Sequence, residues 1–263
     1  MSYLWHNLYL YCDNAESVVN ALRESLTSLG YQLYDPFGAV PGKAYPQAVR
    51  LFVAPASDGW VRVIGEPDPA LFALLSHLAL CLSVALDATK AEITAFVDGS
   101  SAVPEEALVP HLRPGRSPDD LRRALNFSPT KASTPDESAL PLDTLPQEVQ
   151  AMANQVNLKQ AQNLFSKLSG ELLNRSERDA ARQMLKGVDW NSPGGQRVRA
   201  LMPCLTVPKA WREPDFVTLR DAYALHLRRQ RNPNAMLFPG DQESLAGVPD
   251  ALAYTPVYGG RNQ

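Results

Sequence analysis

Apolar and polar positions change their period along the first hundred residues. His6 to Cys12 crowds aromatic and leucine side chains together and predicts a strand. Asp13 with Glu16 forms a capping-box pattern, and Val18, Val19, Leu22, Leu26 and Leu29 then recur at helical spacing until Gly30. A stretch punctuated by proline and glycine, Tyr34 to Pro46, reads as an extended loop. Ala48 to Ala54 and Trp60 to Ile64 predict two strands, joined by the turn residues Ser57, Asp58 and Gly59. Asp68 and Pro69 open an apolar run that reads as one helix reaching Leu86, and Ala91 to Val97 closes the unit as a fourth strand.

The order β-α-β-β-α-β predicts an α+β fold, an N-terminal ferredoxin-like βαββαβ unit followed by a mainly α-helical C-terminal region. Prolines then interrupt every run from Val103 to Pro146, leaving one short helix, Pro118 to Leu125, with Ser117 as its cap. Beyond it the period is helical, over Gln147 to Val156, Leu158 to Leu173, a helix opened by Ser176, and Asp215 to Arg231. The expected organisation is therefore an acidic ferredoxin-like domain over 1–113 and a Pro-rich linker with a short helix over 114–146. A basic helical domain over 147–238 and an irregular tail over 239–263 complete it.

Composition narrows the function classes. Among 263 residues, 22 prolines against 15 glycines mean many joints, and a net charge of -3 excludes a uniformly basic nucleic-acid coat. The charge is uneven: residues 1–100 carry 5 basic and 10 acidic side chains, whereas 151–263 carry 15 and 10. Cys12, Cys81 and Cys204 lie too far apart for a zinc-finger or CxxC spacing, which points to a reducing cytoplasm. The apolar window Ala70 to Leu86, broken by Ser76, His77 and Ser83, is short for a membrane span, so a soluble chain is expected.

Arginine dominates the basic region. Arg175, Arg178 and Arg182 are spaced to share one helical face, and Arg197, Arg199, Arg228, Arg229 and Arg231 follow. Such a set is a candidate phosphate or nucleic-acid contact, because the guanidinium fork matches phosphate oxygens. The plainer reading is a solvated face balanced by the acidic half.

Other candidates are weaker. His77 and Cys81 would share a face of the apolar helix, yet leucines surround them and no third partner is identifiable. Asp13, Glu66 and Asp68 would gather at one end of a ferredoxin-like sheet, where helix capping already explains two of them. Pro193-Gly194-Gly195 could cradle an anion at a helix start but lacks the P-loop spacing. No catalytic residue, metal ligand or cofactor is assigned.

On the first strand Tyr9 and Tyr11 alternate with Leu8 and Leu10, and the fold expected would leave them on an open sheet face. Aromatics there are candidate contacts for a protein partner, unless the C-terminal helices cover them; an acidic domain repels a phosphate backbone. The sequence thus points to a non-enzymatic adaptor or assembly subunit that binds a protein. Association with nucleic acid through the arginines is the alternative, and an enzyme of unknown class the third.

Overall fold

The computed structural model describes residues 5–38, 45–87, 90–127, 189–211, 215–234, 236–237 and 241–262. Eight strands occur among them: β1 (Trp5–Leu10), β2 (Gln32–Leu33), β3 (Gln47–Val53), β4 (Val61–Glu66), β5 (Cys81–Leu86), β6 (Ala91–Val97), β7 (Ser100–Ala102) and β8 (Thr255–Arg261). They form one sheet in the order β2-β8-β3-β4-β1-β5-β6-β7, and every pair is antiparallel. The helices are α1 (Ala15–Ser28), α2 (Ala70–Ser76), α3 (Pro104–Leu108), α4 (Pro118–Leu125), α5 (Pro193–Leu201), α6 (Phe216–Arg231) and α7 (Asp241–Gly247).

This mixed architecture overturns the ferredoxin-like expectation. The apolar run 70–86 is not one helix: α2 stops at Ser76, and Cys81–Leu86 forms β5 between β1 and β6. All six β5 residues are buried, so both of its faces are covered and no apolar/polar alternation marks the strand. The tail over 239–263, expected to be irregular, contains β8, which lies between β2 and β3.

Because β1 and β4 are antiparallel, Leu10 pairs with Val61 and Asn7 with Ile64. Asp13 and Glu66 therefore belong to opposite ends of the sheet, and the acidic cluster does not form. The cap of α1 is Asn14 rather than Asp13: its Oδ1 accepts the Glu16 and Ser17 amides at 3.0 and 3.2 Å. The Asp68 carboxylate accepts the Ala70 amide at 3.0 Å and the Tyr31 hydroxyl at 2.8 Å. At α4 the expected cap is present, with Ser117 Oγ and the Asp120 carboxylate bonding each other's backbone amide.

Helices cover both faces of the sheet. On one face Leu8, Leu10, Leu51 and Val63 pack against Val18, Leu22 and Leu26 of α1 and Leu71 and Leu75 of α2. On the other, Tyr9, Phe52, Ile64 and Val84 share a core with Leu121 of α4, Val198 and Leu201 of α5, and Leu219 and Ala222 of α6. Trp60 Nε1 donates to Thr206 Oγ1 at 2.9 Å, tying the sheet to this second cover. Arg113 strengthens the tie, its backbone and side chain donating to the carbonyls of Cys204 and Leu205 at 2.8 and 3.1 Å. The Gln147–Val156 and Leu158–Leu173 helices, the Ser176 helix start and most of the linker expected over 114–146 lie outside the described residues.

Candidate binding cleft

The site is created by the shortness of β2. Its two residues pair with Gly259 and Gly260 of β8, and Tyr34 N then donates to Tyr258 O at 3.1 Å. There the chain leaves the sheet, in a turn whose Phe37 amide donates to Asp35 Oδ1 at 2.9 Å. Thr255, Pro256 and Val257 consequently have no strand neighbour on their outer side among the described residues. The gap is a cleft of about 550 Å³, with Arg23 of α1 on one flank of the sheet edge and Tyr223, Leu227 and Arg231 of α6 on the other. That size falls within the range of ligand clefts.

A relay of aromatic rings backs the cleft. Tyr34 meets Tyr258 at 5.7 Å between centroids, Tyr258 meets Phe37 at 5.8 Å, and Phe37 meets Tyr223 at 4.8 Å. Phe52 and Phe216 continue the relay into the core. Such tilted and edge-on contacts fix ring positions before any ligand arrives. Arg231 anchors the turn to α6 by donating to Phe37 O at 2.9 Å.

Electrostatically, burial raises the hydroxyl pKa of Tyr34, and the Arg50 guanidinium partly opposes the shift. Burial also raises that of Tyr223, with the Asp35 carboxylate adding to it. Tyr258 is driven higher still by burial, and its hydroxyl has no hydrogen-bond partner among the described residues. All three remain neutral donors across the physiological range; the Tyr258 hydroxyl is buried, so Tyr34 and Tyr223 with the guanidinium groups are polar groups that can face a ligand.

The residues singled out in the sequence are scattered. Tyr9 is completely buried beneath the second helical cover, so the sheet face assigned to it is closed and Tyr9 cannot meet a partner. Tyr11, beyond the end of β1, is 43% exposed and packs on Trp60 and His111 at 5.2 and 4.0 Å. Arg197 donates to Ala91 O at 3.2 Å, and Arg199 lies over the Trp190 ring at 5.7 Å. Arg228 is paired with Asp241 at 2.8 Å, and Arg229 is exposed. Among the described residues of the set, Arg231 alone reaches the cleft. Arg175, Arg178 and Arg182 lie outside the described residues.

Other motifs resolve into structural roles. His77 caps α2 and Cys81 begins β5, so they do not share a helical face. The Gly194-Gly195 turn is buried, and its Gly195 amide donates to Ser192 Oγ at 3.1 Å, leaving no anion cradle there. Among the described residues no three His, Cys, Asp or Glu side chains gather where they could hold a metal.

The cleft residues Tyr34, Phe37 and Arg23 escaped the sequence reading because they come from a loop and from the polar face of α1. The one available signal is the aromatic density of Tyr34, Phe37 and Tyr45 within the loop stretch Tyr34 to Pro46. Comparison with known protein families, with curated proteins and with solved structures returns no match.

Proposed function

We propose that this chain is a non-enzymatic cytoplasmic adaptor or assembly subunit that holds a protein partner in the cleft beside β8. The observation that carries this reading is the open strand edge flanked by Tyr223, Leu227 and two arginines. Tyrosine and arginine are the residue types that anchor protein interfaces, and rigid rings lose little entropy on contact. A cleft that presents backbone, rings and guanidinium groups is suited to holding a chain, not to cleaving one. Cys12, Cys81 and Cys204 are all free thiols, in keeping with a reducing compartment. No helix among the described residues is long and apolar enough to cross a membrane.

The test is a tagged bait recovered from its native host, as wild type and as Leu227→Glu, each with and without nuclease. A defined protein that survives nuclease and is lost from a folded Leu227→Glu bait supports the adaptor. A partner retained by Leu227→Glu removes the cleft from the account. One lost on nuclease treatment favours the alternative, a nucleic-acid-associated protein using its arginine-rich region.

A further inference from the structure

We infer that the partner contributes an extended segment of alternating acidic and apolar residues, which adds as a strand to the β8 edge beside Thr255–Val257. The inference rests on the cleft being the partner site, and it specifies how that site reads its ligand.

Backbone geometry supplies the first argument. Tyr258 O accepts from Tyr34 N and so faces the outer side of β8. Carbonyls two residues apart along a strand face the same way, which turns Pro256 O toward the cleft, beyond the point where β2 ends. Pro256 has no N–H, so the edge offers an acceptor there without the matching donor. A proline at this position blunts pairing between identical edges and still lets an incoming strand donate one hydrogen bond. Strand addition of this kind draws affinity from main-chain bonds and selectivity from alternate side chains.

The two flanks supply the second. Side chains of an added strand alternate between the faces of the sheet. One set meets α1, where Arg23 is exposed and its guanidinium has no hydrogen-bond or ion-pair partner among the described residues. The other set meets Tyr223 and Leu227 of α6, with Arg231 at the rim. Among the described lining residues the one carboxylate, Asp35, is occupied with the Phe37 amide. Among the described residues two cations line the cleft against one anion, and Arg231 is already engaged with Phe37 O whereas the Arg23 guanidinium is not, which selects carboxylates toward α1 and apolar groups toward α6.

The experiment uses fluorescein-labelled acetyl-(Glu-Val)3-amide and acetyl-(Lys-Val)3-amide, titrated with the full chain and followed by anisotropy. The acidic peptide is expected to bind at least ~10-fold more tightly, and Arg23→Gln to weaken it by roughly 3- to 10-fold, as loss of a rim charge would. Two further acidic peptides carry N-methyl groups on all valines or on all glutamates. One pattern blocks the amides facing β8 and abolishes binding, while the other leaves it intact. Equal binding of acidic and basic peptides, indifference to both methylation patterns, or no binding of either peptide overturns strand addition. In each of those cases, loss of the partner from the Leu227→Glu bait would still uphold the cleft as the partner site. A partner retained by that bait would overturn the site itself.

Discussion

Arg62 on β4 and Asn7 on β1 are both fully buried, and Arg62 Nε donates to Asn7 Oδ1 at 3.0 Å. Asn7 Nδ2 in turn donates to the Tyr9 hydroxyl at 3.3 Å. The guanidinium also reaches Tyr254, where it counters the rise in hydroxyl pKa that burial causes. A cation is thus held inside the core that joins the sheet to its second helical cover, with Asn7 and Tyr254 among its partners.

Removing one member leaves the other desolvated with less compensation. Asn7→Leu is expected to cost about 2 kcal/mol, read as a fall in the urea midpoint. Adding Arg62→Met to that variant should recover part of the loss, because the buried charge goes with its partner. Two losses that simply add would show that the residues are not coupled.

His6 makes stability depend on pH. Burial lowers its pKa from 6.5 to about 4, and its Nε2 lies 2.8 Å from Ser83 Oγ. The unfolded chain binds a proton near 6.5 and the folded chain near 4, so His6 favours folding fully above 6.5. That contribution, on the order of 3 kcal/mol, declines as pH falls through this window and is gone below about 4. Urea midpoints of wild type and His6→Asn, compared between pH 7 and 4.5, should show the variant less sensitive to acid. Equal slopes would exclude His6 as the source.

The three thiols should differ in reactivity. Burial pushes the Cys81 thiol up to about 12 and also raises Cys204, whereas Cys12 is partly exposed. With Ellman's reagent at pH 8, one thiol is expected to react quickly and two only on unfolding. Rapid labelling of Cys81, located by peptide mapping, would contradict the buried β5 strand.

Gly194 is set against the turn between β5 and β6. A Cβ there would lie 2.6 Å from the Lys90 carbonyl carbon and 2.7 Å from Ala91 N, and backbone cannot give way cheaply. Gly194→Ala should therefore destabilise by about 2 kcal/mol. Gly30 has open space and a φ of +82°, so Gly30→Ala carries only the cost of left-handed backbone, about 1 kcal/mol. Thermal unfolding of the two variants separates overpacking from backbone strain; equal losses would refute the close contact.

The legible parts of the fold are those that keep one polar face. α1 and α6 announce themselves by period, α4 by its cap, and β3, β4 and β6 by their turns. β5 was lost because burial on both faces erases alternation and lets the run merge with α2. β8 was lost for a different reason. Gly259 and Gly260 lie where side chains would meet Tyr31, Leu26 and Tyr45, so close packing removes the β-branched residues that mark a strand. The cleft depends on both β8 and the place where β2 stops, and neither is written as a local pattern.

The place of β8 beside β3 has a consequence for the order of events at the ribosome. Val53 of β3 finds its partner in Thr255 of β8, about 200 positions later along the chain. At ~5–20 residues per second, roughly 10 to 40 seconds separate the emergence of the two strands. Through that interval β3 has β4 on one side and a bare, largely apolar edge on the other. The nascent chain is thus exposed to wrong pairing at the edge that the folded protein covers, and a holding chaperone has a defined interval in which to act.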